Sequence, residues 1–360
     1  MSMLMDYIDP LLLEAAQKIF EEHFRRDPEL EKEMDIRRRK LMYDDIIYNF
    51  SYLLTAVHFK DGKIFENYAR WLYELLCGLM KDLDRDRIAR QMTDHYTILS
   101  EQIAALPPHI LSEENLSDAR SYLQRAILFT RDAVTDVPFT TSFEQGPYAA
   151  HRKEYLEALL KSETGQAHQI IENIRRSDSS LPQIYEEILA PVMREVGELW
   201  HQNRITVDKE HYITSVTQSV LSRFYDELFY RPRIGRTLVS CAVGSELHEI
   251  GTRMLSDIFE YYGWDTYYLG AALPRAALLK ALSEYKPDLV ALTVTMPPHL
   301  PECEETIQAI RGQFPDMRII VGGQAFASTE ALWEKWDVDH YAPTYSGIIR
   351  WAQSVYGEQH

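Results

Sequence analysis

Three short stretches in the last third of the chain carry residue types suited to holding a metal-centred ligand. They are Gly244-Ser245-Glu246-Leu247-His248-Glu249-Ile250-Gly251, then Thr293-Val294-Thr295, then Gly322-Gly323. A neutral imidazole is a good ligand for a transition metal, and a carboxylate beside it fixes its tautomer and raises its basicity. Glu246, two residues before His248, is placed to be that carboxylate. Threonine hydroxyls can bond a buried polar group, and paired glycines leave open volume for a rigid ligand. Taken singly, a loop histidine is an ordinary surface residue and a glycine pair after a strand an ordinary turn.

Their order along the chain joins them. From residue 236, short apolar runs alternate with helical ones. The pattern predicts strands over Thr237–Val243, Asp265–Leu269, Leu289–Val294 and Arg318–Val321, with a short one near His340. Helices are expected over Glu249–Tyr262, Arg275–Glu284, Cys303–Gln313, Thr329–Lys335 and Ser346–Val355. Such alternation predicts a doubly wound parallel sheet of flavodoxin-like strand order, which binds ligands beyond its C-terminal strand ends. All three stretches fall on that edge.

Upstream, helical periodicity in the pieces 152–162, 164–176, 182–201 and 207–229 predicts a four-helix bundle. Residues 1 to about 135 read as helical throughout, with apolar spacing in Leu11–Phe24, Met42–Phe59, Ile64–Met80 and Arg87–Ile103. Breaks are expected at Asp61-Gly62 and Pro107-Pro108, and a new helix at Ser112. Asp136–Pro147 reads as a linker. The expected organisation is mainly α plus α/β, with a helical domain over 1–148, a bundle over 149–232 and a Rossmann-like domain over 233–360.

Composition narrows the function classes. A formal charge of −17 argues against direct nucleic-acid binding, which needs clustered Lys and Arg. Three distant cysteines, with no CxxC, give neither a disulfide framework nor a zinc site. No apolar run is long enough to span a membrane. The first residues carry acids where a secretory signal would carry positive charge, so a cytoplasmic location is expected.

Glu246-x-His248-x-x-Gly251, Thr293-x-Thr295 and Gly322-Gly323 together resemble the Asp-x-His-x-x-Gly, Ser-x-Leu and Gly-Gly signature of base-off/His-on cobalamin-binding domains. The resemblance implies cobalamin as cofactor, His248 as lower axial cobalt ligand, and a nucleotide tail lined by Thr293, Thr295, Gly322 and Gly323. Glu246 stands for the usual Asp and Thr295 for Leu. The run from Ile184 to Trp200, followed by Glu210-His211, is similar to the helical cap of light-responsive adenosylcobalamin photoreceptors of the CarH type, with their Trp-x9-Glu-His pattern. That likeness implies that Trp200, Glu210 and His211 face the corrin's upper side. His201 matches the position that captures cobalt from above after photolysis.

The photoreceptors' winged-helix DNA-binding domain finds no counterpart in the first 140 residues, which are too acidic. They look like the globin-like helical domain that, in the photocobilin group, holds a bilin. Tyr48, Tyr52, His58, Trp71, His95, Tyr96 and His109 are residue types suited to biliverdin or another tetrapyrrole, although aromatics at helical spacing more often form core. Cys77, in an apolar run, is expected to be buried rather than a covalent attachment point. The expected function is a light sensor in which photolysis of the cobalt–carbon bond rearranges the cap; signalling is expected before catalysis, with an enzymatic output left open. Its output would pass through a protein partner or a homo-oligomer. The competing expectation is a corrinoid methyl carrier of a methyltransferase system. A mutase would need a substrate barrel of about 250 residues.

Overall fold

The computed structural model describes residues 9–132, 142–177 and 179–357. The first half of the sequence-predicted linker, residues 136–141, falls outside them. The chain divides into two compact units. The first holds the N-terminal helices together with 296–301 and 328–332; the second holds the bundle and the remainder of the sheet domain.

The long helices of the first unit are α1 (Pro10–Arg26), α2 (Ile36–Phe59), α3 (Gly62–Leu79), α4 (Arg85–Gln102) and α5 (Leu116–Asp132). Four of them start at an aspartate whose carboxylate accepts a first-turn N–H: Asp9, Asp35, Asp61 and Asp84. Lys60, in the left-handed region at φ 51°, ends α2 and lets the chain turn into α3. The apolar stripes meet in a core that includes Phe50, Leu53, Phe65, Leu72, Leu99 and Leu123. Ser112 opens a turn, not the expected helix: Asn115 N–H bonds its carbonyl, and α5 begins four residues later. Cys77 is half-buried, more open than its apolar run predicts.

In the second unit the bundle comprises α6 (Ala149–Leu160), α7 (Thr164–Arg176), a composite third helix and α9 (Val207–Leu221). The composite helix runs Leu181–Ile184, a π-helical turn at Tyr185–Leu189, then α8 (Ala190–His201). Pro191 explains the wide turn. It has no N–H for the carbonyl of Glu187, four residues back, and the backbone loosens there. Arg152, buried in α6, donates to that carbonyl at 2.9 Å and also to the carbonyls of Phe143 and Gln145.

The sheet contains β1 (Thr237–Ala242), β2 (Asp265–Tyr268), β3 (Leu289–Thr293), β4 (Arg318–Gly322) and β5 (His340–Tyr341), all parallel, in the order β2-β1-β3-β4-β5. This is the flavodoxin-like order expected from sequence. Strands β1, β3 and β4 are buried on both faces, which is why they read as continuous apolar runs. Helices α10 (Ile250–Tyr261), α11 (Arg275–Tyr285), α12 (Leu300–Gln313) and α13 (Tyr345–Tyr356) connect and cover them. The helix expected over Thr329–Lys335 is absent. Ala331 adopts φ 51°, the left-handed region, which breaks the run, and only a 3-10 turn at Leu332–Lys335 follows. Bundle and sheet share one continuous core, in which Ile184, Leu189, Ile213 and Phe224 join Leu238, Ile258, Phe259 and Trp264.

Candidate functional site at the sheet switch point

The strand order reverses direction between β1 and β3, and an open parallel sheet leaves its crevice there. The loop after β1 carries Glu246 and His248; the loop after β3 carries Thr295. Val243 N–H bonds the Thr293 carbonyl at 3.1 Å, holding the two loops side by side. Gly244, at φ +59°, turns the first loop against the Glu302 carboxylate, where a Cβ would not fit.

Glu246 is 1% exposed, yet its carboxylate is fully used. Its Oε1 lies 2.5 Å from Nδ1 of His248 and accepts the His248 backbone N–H at 3.0 Å. Its Oε2 accepts the backbone N–H of Thr295 at 2.8 Å. A carboxylate at Nδ1 selects the tautomer that carries its proton there, leaving the Nε2 lone pair for a metal. The His248 side chain is 58% exposed, and Nε2 has no protein partner among the described residues. Hydrogen bonding to Glu246 raises the imidazole's pKa against an opposing effect of burial, and the charges of Glu246 and Glu210 raise it further. Glu210 therefore lies within electrostatic reach of His248, although it belongs to α9 of the bundle.

The glutamate in place of aspartate acquires a physical reason here: its carboxylate spans from the imidazole to the β3 loop. Thr295 contributes to this through its backbone, so its side-chain change from the usual Leu leaves that bond intact. Thr293, at the end of β3, hydrogen-bonds the hydroxyl of Thr252 in the first turn of α10. Sequence reasoning missed Thr252. Its place four residues after His248 was the available signal, while its burial is visible only in the fold. Gly251 presents its carbonyl to the Tyr345 hydroxyl at 3.1 Å. Gly323, exposed at φ +100°, packs so closely on Val294 that a Cβ would strike its carbonyl, whereas a Cβ on Gly322 would only touch the Thr293 methyl at 4.0 Å.

On the bundle, Trp200 and Glu210 are half-buried at the end of α8 and the start of α9. The connection between them is tight: Asn203, at φ 53°, bonds the Trp200 carbonyl at 2.8 Å, and Arg204 bonds that of Leu199 at 2.8 Å. Glu210 accepts from the Thr214 hydroxyl at 2.9 Å and pairs with Nδ1 of exposed His211 at 2.9 Å. His201 differs from its neighbours: its side chain is 5% exposed and its Nδ1 lies 3.5 Å from the Glu198 carboxylate. Leu247 is exposed on the first loop.

The tetrapyrrole candidates of the first unit do not form one set. Tyr52 and Tyr96 are buried, and Tyr52 stacks on Tyr68 at 3.9 Å. His95 is paired with His23 at 3.0 Å, and burial lowers the pKa of both rings, that of His23 to about 4. His58, Trp71 and His109 are exposed, the last bonded to Asp9 at 3.0 Å. Asp45, unremarked in the sequence, has its carboxyl pushed up to about 7 by burial and by Asp44. Among the described residues no helix is long and apolar enough to cross a membrane.

Comparison with known proteins agrees with this geometry. Residues 236–343 match the family model described as the B12 binding domain, and residues 151–225 match a second B12 binding domain model. The chain is 30% identical over 154 residues to the HTH-type transcriptional repressor CarH of Myxococcus xanthus, covering 42% of this chain and 50% of the repressor. It is 22% identical over 178 residues to dimethylamine corrinoid protein 1 of Methanosarcina acetivorans, covering 48% of this chain and 82% of that protein. The fold is similar to the solved structure of the Methanosarcina barkeri monomethylamine corrinoid protein, with a TM-score of 0.52 at 12% identity over 58% of this chain and 100% of that one. The chain spans about half the length of the curated repressor it matches. Its bundle and sheet are thus B12-binding domains.

Proposed function

We propose that the chain is a cobalamin-based light sensor, with His248 as the lower axial ligand of cobalt and the bundle covering the opposite face. The observation that carries this reading is one juxtaposition at the switch point: an imidazole oriented by a buried carboxylate, within electrostatic reach of an acid from a bundle helix. A single imidazole is too sparse a donor set for a bare ion, but suits a metal already held equatorially by a macrocycle. Gly251, Thr293, Thr295, Gly322 and Gly323 would line the nucleotide tail, with Leu247 an apolar contact at its entrance.

Bound adenosylcobalamin supplies a cobalt–carbon bond that visible light breaks. Glu246 accepts the hydrogen bond of Nδ1–H, which holds the proton on Nδ1 and keeps Nε2 basic. Trp200 offers a flat apolar face to the upper group, Glu210 an acceptor for its ribose or adenine, and His211 orients Glu210. His201 would serve as upper ligand after illumination, which requires it to leave Glu198. Because bundle and sheet share one core, a change in what Trp200 and Glu210 contact reaches the whole bundle. The output on this reading is a protein partner or a change of oligomer, since the acidic surface disfavours nucleic acid. The three-part division 1–148, 149–232 and 233–360 belongs to the same proposal. Within it the first part holds biliverdin or another tetrapyrrole, a reading supported by Tyr48, Tyr52, His95 and Tyr96, of which Tyr52 and Tyr96 are buried and the other two half-buried.

Likeness to the dimethylamine corrinoid protein favours a second reading, a methyl carrier. Protein reconstituted in the dark with adenosylcobalamin, then exposed to green light, separates the two. A sensor changes its hydrodynamic size or partner binding on illumination, and Trp200→Ala abolishes that change while leaving cofactor affinity nearly intact. A carrier shows photolysis alone. Added biliverdin gives a red-shifted band only if the first part binds it.

A further inference from the structure

Between α3 and α5 of the first unit lies a cleft of about 290 Å³, lined by Glu66, Asn67, Arg70, Arg125, Leu128 and Phe129. Gly62 lets the two helices approach: a Cβ there would meet the Tyr122 ring at 2.9 Å and the Arg125 guanidinium at 3.0 Å. Two guanidinium groups share the cleft with one carboxylate, a locally positive spot on a chain of net charge −17. Arg125 is already paired with Glu66, so the cleft accommodates a guanidinium–carboxylate pair. The Arg70 guanidinium lies 4.8 Å from the centre of the Phe129 ring and has no carboxylate partner among the described residues. A guanidinium stacked on an aromatic face is held flat and keeps its N–H fork for a planar carboxylate. Beside it, Leu128 is 51% exposed, an apolar wall next to the charged group.

We infer that this cleft is a binding site for a small amphipathic carboxylate, its acid group held by Arg70 and Arg125 and its apolar body lying on Leu128 and Phe129. Glu66 competes with the ligand for Arg125. The volume, at the low end for small-molecule sites, restricts the ligand to about the size of a one- or two-ring aromatic acid. The guanidinium fork suits carboxylate and phosphate alike, and it is the apolar wall of Leu128 and Phe129 that favours an amphipathic carboxylate over inorganic phosphate. The inference is independent of cobalamin, since every lining residue belongs to the helical unit.

Titration calorimetry on the full chain, with 1-naphthoate as probe and neutral 1-naphthamide and inorganic phosphate as controls, tests it. The site predicts binding of naphthoate, at least about tenfold weaker binding of the amide and of phosphate, and weakening by salt. Arg70→Ala should lower naphthoate affinity at least about tenfold with unchanged helical circular dichroism. Glu66→Gln should raise it by freeing Arg125, a gain that damage to the fold could not produce. Equal binding of acid and amide, equal binding of phosphate, no binding of naphthoate, or indifference to Arg70→Ala would each overturn the inference.

Discussion

The carboxylate of Glu246 bridges two loops of the sheet, with Oε1 2.5 Å from the His248 ring and Oε2 2.8 Å from the backbone N–H of Thr295. A side chain that is 1% exposed thus orients one that is 58% exposed, and ties both to the end of β3. Burial makes this bridge rigid, because an unmatched carboxylate there would be costly.

Glu246→Gln should therefore weaken cobalamin binding about 10–100-fold, the range typical of lost outer-shell partners of a metal-bound histidine. The amide keeps the volume but offers a single acceptor for the Nδ1 proton and the Thr295 N–H. Spectrophotometric titration with cobalamin reads the loss; affinity equal to that of the parent protein would show that the bridge does not matter.

The two glycines after β4 should behave differently. Gly323→Ala meets both a φ of +100° and the Val294 carbonyl, and should destabilise the second unit by about 2 kcal/mol or more. Gly322→Ala has room and should cost about 1 kcal/mol or less in stability. Urea denaturation of both variants checks the contrast, and similar midpoints would refute it.

Much of this was legible in the sequence, for identifiable reasons. Strands β1, β3 and β4 are buried on both faces, so their apolar runs announced a parallel sheet, and that sheet order placed Glu246, Thr295 and Gly323 on one edge. What could not be read came from long-range partners. The Arg152 bond to the carbonyl that Pro191 leaves without a donor joins residues 35 apart, and periodicity says nothing of it. The left-handed Ala331 likewise broke a helix that the composition of Thr329–Lys335 favours. His201, which by its position beside Trp200 matches an upper cobalt ligand, turns out to be buried against Glu198, a partner that spacing alone does not reveal.

Arg152→Ala removes three donations at once, to the carbonyls of Phe143, Gln145 and Glu187. With those carbonyls left short of partners, the second unit should lose on the order of 3 kcal/mol. Chemical denaturation measures it. A loss below about 1 kcal/mol would mean that the π-helical turn satisfies itself by other means.

Asp257, on α10, accepts a hydrogen bond from the Tyr185 hydroxyl of that π-helical turn at 3.0 Å. Burial pushes its carboxyl up to about 7, against the opposing pull of Tyr185 and Arg253. A folded-state value above the unfolded one means that the folded form holds the extra proton. This stability is complete below the ordinary aspartate value of 3.8 and is lost as pH rises through about 7. Asp257→Asn should flatten that part of the pH–stability profile, and thermal melts across the window decide. An unchanged slope would contradict the assignment.

The central claim is that His248 supplies the axial nitrogen to cobalt. Electron paramagnetic resonance of the protein loaded with the cobalt(II) form of cobalamin tests it most directly, with histidine labelled in the heavy nitrogen isotope. Coordination by His248 predicts a three-line nitrogen splitting in unlabelled protein that becomes two-line on labelling and disappears in His248→Ala. A three-line pattern that survives labelling would show the cofactor's own base still on the metal, and the claim would be wrong.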